Sequence, residues 1–592
     1  MPPVSGSKNS FTIKAYIGDN KTLLAFNFSD PGRAKNLAGF TIQCQPPGKP
    51  AYYLFNELQF ADPTKHAQVA TEKPNSTINA PIQKYRWTHV LGLNHQGLSP
   101  AVGNYAYTVT PRYFDAQTMK PLDATLSASV TVPVGPFKKG SLSLGFTRGY
   151  MQSEAFVHHF GPNAQLQPAG KPLLYDTNQQ AGTSPSGQTY TFEDEYAWMG
   201  STARQQLLAV LNTAVNDPSV HVDAFAYDLN DPTVMSALLT LGKQGRVRII
   251  LDNAQLHITH TDSKTKKTVV PPEDKFTDLF KQQAKAPAAL VRGCFNRYSH
   301  DKIFILSRNG NAFRVITGST NWSVTGLYVN ANHVLVFDDA NVAAQYAKMF
   351  AQSWQILSKT KTPSKAAANA FSSTPLATQA STFQSASVPS TIINFSPHTD
   401  NDVNKILGAM SNRITKEGDV SKGNVLFAVM QLTGSQSPVY STLSGLHAKQ
   451  SLFSYGISDA PQGTFLYAPG AKSGVMVTGK PGQTILPPPF DQVPTPPGHE
   501  IHDKFVVCGL NGNDPVVYCG SSNLATGGEA ANGDNLLEVH DADVATAFAI
   551  EALLLVDHYN FLDRMAKPKS SAGTKAPKTP KKAAGKAAGA KA

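Results

Sequence analysis

The tripeptide His-Asp-Lys occurs twice in this chain, at His300–Lys302 within RYSHDKIFIL and at His502–Lys504 within EIHDKFVVCG. With the two histidines superposed, 202 positions apart, the downstream residues stay in register without a gap. GSTN at Gly318–Asn321 falls on GSSN at Gly520–Asn523, and Asn332 falls on Asp534. DANVAAQYA from Asp339 falls on DADVATAFA from Asp541. Chance does not align three such features. The chain therefore holds two copies of a unit of roughly two hundred residues, and its fold must accommodate both.

Each copy reads as strand, turn, strand. IFILSRNGNAFRVITGSTN has an Asn-Gly turn between apolar runs, and FVVCGLNGNDPVVYCGSSN has Asn-Gly followed by Asn-Asp-Pro; both are hairpin signals. Upstream, STARQQLLAVLNTAV and PTVMSALLTLGKQG have helical spacing, while VHVDAFAYDL and RVRIILDN read as strands. This alternation predicts a buried α/β sheet. The order recurs later, with DVNKILGAMSNRI as helix and NVLFAVMQL as strand. We read residues 139–357 as the first half and 393–566 as the second. The Ser-, Thr- and Ala-rich stretch 358–392, without clear periodicity, reads as a linker. Residues 1–138 read as an all-β sandwich of fibronectin or immunoglobulin type, from short alternating runs such as FTIKAYIG and ATLSASVTVPV.

On a strand, side chains two apart share a face. His300 and Lys302 therefore point one way and Asp301 the other, and the second copy repeats this. The hairpins return Asn321 and Asn523 beside them. Packed about a pseudo-dyad, the two copies gather His300, Lys302, Asn321, His502, Lys504 and Asn523 into one site within a single chain. Such a site suits phosphodiester displacement: the lysines hold non-bridging oxygens, one imidazole attacks phosphorus, and the other protonates the leaving oxygen. The positive charge is already supplied, so no metal and no cofactor is expected.

These motifs resemble the phospholipase D superfamily, whose signature HxK(x)4D followed by GSxN appears twice in one chain. The resemblance covers residues 140–566 and implies a duplicated α/β sandwich and a phosphohistidine intermediate. Its members include phospholipases, lipid synthases, nucleases and tyrosyl-DNA phosphodiesterase. The Asp of the signature is Ser307 in the first copy and Gly509 in the second, and the hairpin is longer. In both respects the chain resembles tyrosyl-DNA phosphodiesterase. Ser319 and Ser521 belong to the GSxN pair. Where the family places a group that orients a histidine, this chain has Asn332 and Asp534. A carboxylate favours the imidazolium and marks a proton donor. If each group serves its own half, His300 attacks and His502 is the acid; if the groups cross the dyad, that rule swaps the roles. Family precedent leans toward His300. The substrate is expected to be a phospholipid head-group diester, with DNA or RNA as the alternative; an inactive scaffold of the same fold is the third reading.

The sequence has 592 residues, 41% hydrophobic and 16% charged, which suits several globular domains. No apolar run approaches the roughly eighteen residues of a membrane span, and the start, MPPVSGSKNSFTIKAY, has no apolar signal core. Four cysteines without a CxxC read as reduced thiols. These features predict a cytoplasmic protein, with peripheral membrane association or signal-less export left open. The net charge is +11, but residues 567–592 carry eight lysines and no acid, which leaves +3 for the rest. The tail is expected to be disordered and to attract an anionic polymer or membrane by diffuse charge. Among lesser candidates, Arg292, Arg297 and Tyr298 lead into the first motif and are phosphate-contact candidates. His499 reads as a loop residue beside His502. HITHTD, from His257 to Asp262, reads as a polar loop rather than a metal site, and the pair His158–His159 has no partner in sequence.

Overall fold

The two apolar runs behind His-Asp-Lys become the strands Ile303–Arg308 and Lys504–Cys508, each near the middle of a mixed sheet. The computed structural model describes residues 3–149, 153–360, 362–432, 437–447, 449, 452–460, 463–468, 474–479, 484–485 and 500–568. His499 lies outside them.

The first sheet has the order Phe137–Lys139, Leu142–Phe146, His333–Phe337, Asn311–Gly318, Ile303–Arg308, Val220–Ala226, Val247–Leu251, Ala289–Arg292. The second runs Ser381–Phe383, Ser390–Phe395, Asn535–His540, Val516–Gly520, Lys504–Cys508, Asn424–Val429, Phe453–Ala460, and continues to Gly463–Tyr467 and Val475–Gly479. Through the seventh strand the two sheets match in order and direction. Register matches as well: Phe225 faces Ile303 as Ala428 faces Phe505, equivalent pairs on the central strands. The eighth strands differ, pairing parallel in the first sheet and antiparallel in the second.

Helices cover the sheets. Ala340–Leu357 packs on the first and Ala542–Met565 on the second. The likeness of DANVAAQYA and DADVATAFA has a local cause. Asp339 and Asp541 are the N-caps of these helices, each accepting from two backbone amides at 2.8–3.0 Å. Such a cap contributes about 1 kcal/mol.

The stretch 358–392 is more than a linker. It carries the helices Lys365–Ser372 and Pro375–Thr378, and its end forms the hairpin strand Ser381–Phe383, the counterpart of Phe137–Lys139. Ala367, Ala368 and Phe371 are buried in the main core. Alanines among serines and threonines give too weak an apolar contrast for a period to stand out. A three-residue strand is recognisable only by its partner.

The N-terminal residues form two antiparallel sheets around Phe11, Ile13, Phe40, Tyr105 and Val132. Strand Ala128–Val134 alternates strictly between buried and exposed, as one-sided burial requires. This sandwich is docked on the body. Asp19 accepts from the backbone of Phe137 and Phe146 at 3.0 Å. Lys21 pairs with Glu551, and Arg86 with Asp557 at 2.9 Å. The four cysteines are buried and unpaired. Among the described residues no helix is long and apolar enough to cross a membrane. Of the tail expected from residue 567, Lys567–Pro568 pairs with Thr484–Ile485; residues 569–592 lie outside the described residues.

Candidate active site

The two halves meet through exchanged contacts. Ser299 forms a parallel bridge with Gly533, and Ala331 forms one with Ile501. The amide of His300 donates to Gly533 O at 2.8 Å, and that of His502 to Ala331 O at 3.1 Å. The residue that orients each histidine thus comes from the opposite half. His300 Nδ1 lies 2.7 Å from Asp534 Oδ1, and His502 Nδ1 lies 2.8 Å from Asn332 Oδ1. The motif serines hold the orienting groups. Ser319 Oγ donates to Asn332 Oδ1 at 2.8 Å, and Ser521 Oγ to Asp534 Oδ1 at 2.7 Å. Asn332 Nδ2 donates to Gly326 O, which fixes the amide's orientation. Both orienting oxygens are acceptors, so each ring carries its proton on Nδ1 and presents Nε2 for reaction.

The middle residue of each tripeptide also crosses. Asp301 Oδ1 accepts from Asn535 Nδ2 at 2.6 Å, and Asp503 Oδ1 lies 2.8 Å from His333 Nδ1. Asp301 and Asp503 therefore join the halves, while His and Lys face the site. The glycine of GSxN has a backbone reason. Gly318 and Gly520 have φ of +142° and +134°, and a Cβ there would collide with the carbonyl oxygens of His333 and Asn535. Gly509, where the family has Asp, has φ of +76° and would press a Cβ against Arg413. No side chain fits there without strain.

Both lysines are buried. Burial pushes Lys302 down to about 8, against the pull of Asp534, Asp228, Asp301 and Asp252. Burial and the charge of Lys302 push Lys504 well below the usual lysine range. Lys302 Nζ donates to His300 O and lies 4.9 Å over the Tyr227 ring. Lys504 Nζ donates to His502 O at 2.7 Å. Burial also lowers the pKa of His300; Asp534 opposes this, and Lys302 and Lys504 add to it. Asp534 is pushed up by its own burial, but His300 and Lys302 outweigh that and hold it below the usual carboxylate range. An anion bound between the two lysines would favour their charged forms.

Sequence reading missed an acidic chain on the first half's side. Asp228 follows Val220–Ala226, and Asp252 follows Val247–Leu251. His257, assigned to a polar loop, is buried between them, with Nε2 2.7 Å from Asp228 Oδ1 and Nδ1 2.7 Å from Asp252 Oδ2. Asn321 Nδ2 donates to Asp228 Oδ2 at 2.6 Å. The available signal was two aspartates at the C-terminal ends of adjacent parallel strands, where α/β folds place their sites. Ligand atoms of Asp228, His257 and Glu273 lie within 4.8 Å of one another, as a metal site would need. The same atoms already serve other bonds: both nitrogens of His257 face carboxylates, and Glu273 accepts from the Leu229 amide at 3.0 Å.

Other candidates resolve locally. Arg292 is held by Asp274 at 2.6 Å and by the Asp252 carbonyl, so its guanidinium is committed to the fold. Arg297 is exposed and lies 5.1 Å over the Tyr298 ring, whose centroid is 6.4 Å from that of His300. His159 bonds the Leu93 carbonyl and packs near Trp198.

Residues 207–354 match a family described as "Cardiolipin synthase, PLD-like domain". That stretch contains His300, Lys302, Asn321 and Asn332. This stretch is a phospholipase D-like domain. A phospholipase D of Rickettsia prowazekii (strain Madrid E) is 30% identical over 125 residues, which is 20% of this chain and 49% of that one. The chain spans about half the length of the curated relatives it matches. Among solved structures, phosphatidylserine synthase of Haemophilus influenzae overlays at a TM-score of 0.35 and 9% identity, covering 62% of this chain and 86% of that one. Yeast tyrosyl-DNA phosphodiesterase overlays at 0.25 and 9%, covering 55% and 84%.

Proposed function

We propose that this phospholipase D-superfamily protein is a metal-independent phosphodiesterase that works through a phosphohistidine. The observation carrying this is the crossed pairing of His300 with Asp534 and His502 with Asn332, which makes one site of two motif copies. His300 Nε2 attacks phosphorus, the bond to the leaving alcohol breaks, and His502 gives that oxygen a proton. Water then attacks the phosphohistidine, His502 takes its proton, and the P–N bond breaks to restore His300. Lys302, Lys504, Asn321 and Asn523 hold the non-bridging oxygens.

The rule that a carboxylate marks the acid would make His502 the nucleophile, since the orienting groups cross. Two considerations outweigh it. Burial keeps the His300 pKa low despite Asp534, so the ring is available to attack. Phosphorylated on Nε2, that ring becomes a cation, which a buried carboxylate stabilises and an amide does not.

A phospholipid head-group diester is the favoured substrate, because most of the positive charge lies in the lysine tail. That tail also supports the second reading, a nuclease, with residues 567–592 holding DNA or RNA as they would an anionic membrane. Turnover of a small activated diester should survive excess EDTA. A panel of choline, ethanolamine and glycerol head-group lipids beside single- and double-stranded DNA then identifies the substrate. Loss of activity in EDTA, restored by Mg²⁺ or Zn²⁺, would overturn metal independence and point to Asp228, His257 and Glu273.

The pH dependence has a definite sign. kcat/KM reports the free enzyme. With an activated diester, whose leaving group needs no proton from His502, it should rise as His300 loses its proton, below the ordinary histidine range, and fall as pH climbs past about 8 and Lys302 loses its charge. Lys302→Arg should move the alkaline limb upward, since a guanidinium stays protonated. A profile that stays flat well above pH 8 would contradict a charged Lys302 in the free enzyme.

A further inference from the structure

We infer that Asp228 and His257 are positioning residues, forming a relay that locks the amide of Asn321 to the backbone beside His300. The inference rests on the phosphodiesterase reading. The relay is continuous. Asp252 Oδ1 accepts from the Ser299 amide at 2.5 Å, Asp252 Oδ2 bonds His257, His257 bonds Asp228, and Asp228 accepts from Asn321. It ties the start of the His-Asp-Lys strand to the end of the GSTN turn.

A carboxylate only accepts hydrogen bonds. Asp228 therefore forces the nitrogen of Asn321 toward itself, and Asn321 Oδ1, buried, has no hydrogen-bond partner among the described residues. A flipped amide would set its oxygen against Asp228. Held this way, one N–H of Asn321 serves Asp228 and the other remains for a phosphoryl oxygen. A loosely held amide could instead turn its oxygen toward the phosphate and repel it. His257 keeps the relay charged. Burial disfavours its imidazolium, but Asp228 and Asp252 hold its pKa up at about 10.

The second half has only the beginning of this device. Asp459 accepts from the Glu500 and Ile501 amides at 2.7 and 3.2 Å, as Asp252 does from Ser299. In register with His502, as Asp228 is with His300, stands the amide residue Gln431; Met430, whose sulfur lies 3.6 Å from Lys504 Nζ, takes the place of Tyr227. A neutral amide both donates and accepts, so it does not fix a facing amide as a carboxylate does. The relay therefore belongs to the half that carries His300, where an attacking group most needs fixed geometry.

A double-mutant cycle tests this. Asp228→Asn and Asp228→Gln, the latter copying the second half, and His257→Gln are expected to lower kcat/KM on a small diester about 10–100-fold, as lost outer-shell partners do. In an Asn321→Ala background the same changes should cost little more, because their target is gone. Vanadate affinity by calorimetry should show the same coupling, and it does not need turnover. If vanadate shows the coupling but no diester is cleaved, the phosphodiesterase reading fails and the relay stands. If diesters are cleaved but the losses add fully in both backgrounds, or Asp228→Asn is as active as wild type, the relay is overturned.

Discussion

His300→Asn is expected to abolish turnover, and His502→Asn to do the same, because each ring performs a step the other cannot. Loss of general acid–base catalysis costs about 10²–10⁴-fold, and loss of the nucleophile removes the covalent route altogether. The two variants should differ in what accumulates. An activated leaving group departs without a proton, so His502→Asn should still form the phosphoenzyme. It should then hydrolyse it slowly, for want of the base. His300→Asn should form none. Intact-protein mass spectrometry after rapid mixing shows which variant carries the phosphoryl group. Label on His502 in the His300→Asn protein would reverse the assigned roles. Near wild-type turnover in either variant would end the single-site reading.

Asp534→Asn carries the second-largest expected effect. It keeps the shape of the site but replaces the carboxylate behind His300 with an amide that can present N–H to Nδ1. The ring then loses both its fixed tautomer and the charge that stabilises its phosphorylated form. A loss of about 10²–10⁴-fold in kcat is expected, comparable with replacing the carboxylate of a His-Asp pair in other nucleophilic enzymes. Asn332→Ala, behind His502, should cost less, about 10–100-fold, since an amide orients the acid without stabilising much charge. Steady-state kinetics of both variants, with melting curves to confirm folding, decides this. A larger loss from Asn332→Ala than from Asp534→Asn would place the nucleophile in the second half.

The repeat told most of what a sequence can tell here. Two copies of His-x-Lys and GSxN in one register pointed to the phospholipase D superfamily and to six candidate residues. The alternation of side chains on a strand also separated Asp301 from His300 and Lys302 correctly, because that follows from backbone geometry alone. Even the Gly of GSxN and the Asp before each long helix answer to local rules, a positive φ and an N-cap. Patterns that repeat every few residues are set by the local chain, so they survive in one dimension.

What tertiary structure decided was pairing across the dyad. Sequence named Asn332 and Asp534 but left open which histidine each serves, since either partner is compatible with the same spacing. The crossing bridges Ser299–Gly533 and Ala331–Ile501 settle it by bringing each loop to the other half's histidine. The acidic relay was hidden for the same reason. Asp228, Asp252 and His257 are unremarkable in sequence and become one chain of hydrogen bonds only when neighbouring strands end side by side. Residues 358–392 looked like a linker because alanines and a three-residue strand gain meaning only from what they pack against. Residue order alone names the groups that the two copies offer to the proposed site. Only the folded pair of halves decided which group stands behind which, because hydrogen bonds depend on distances between segments that residue order leaves free.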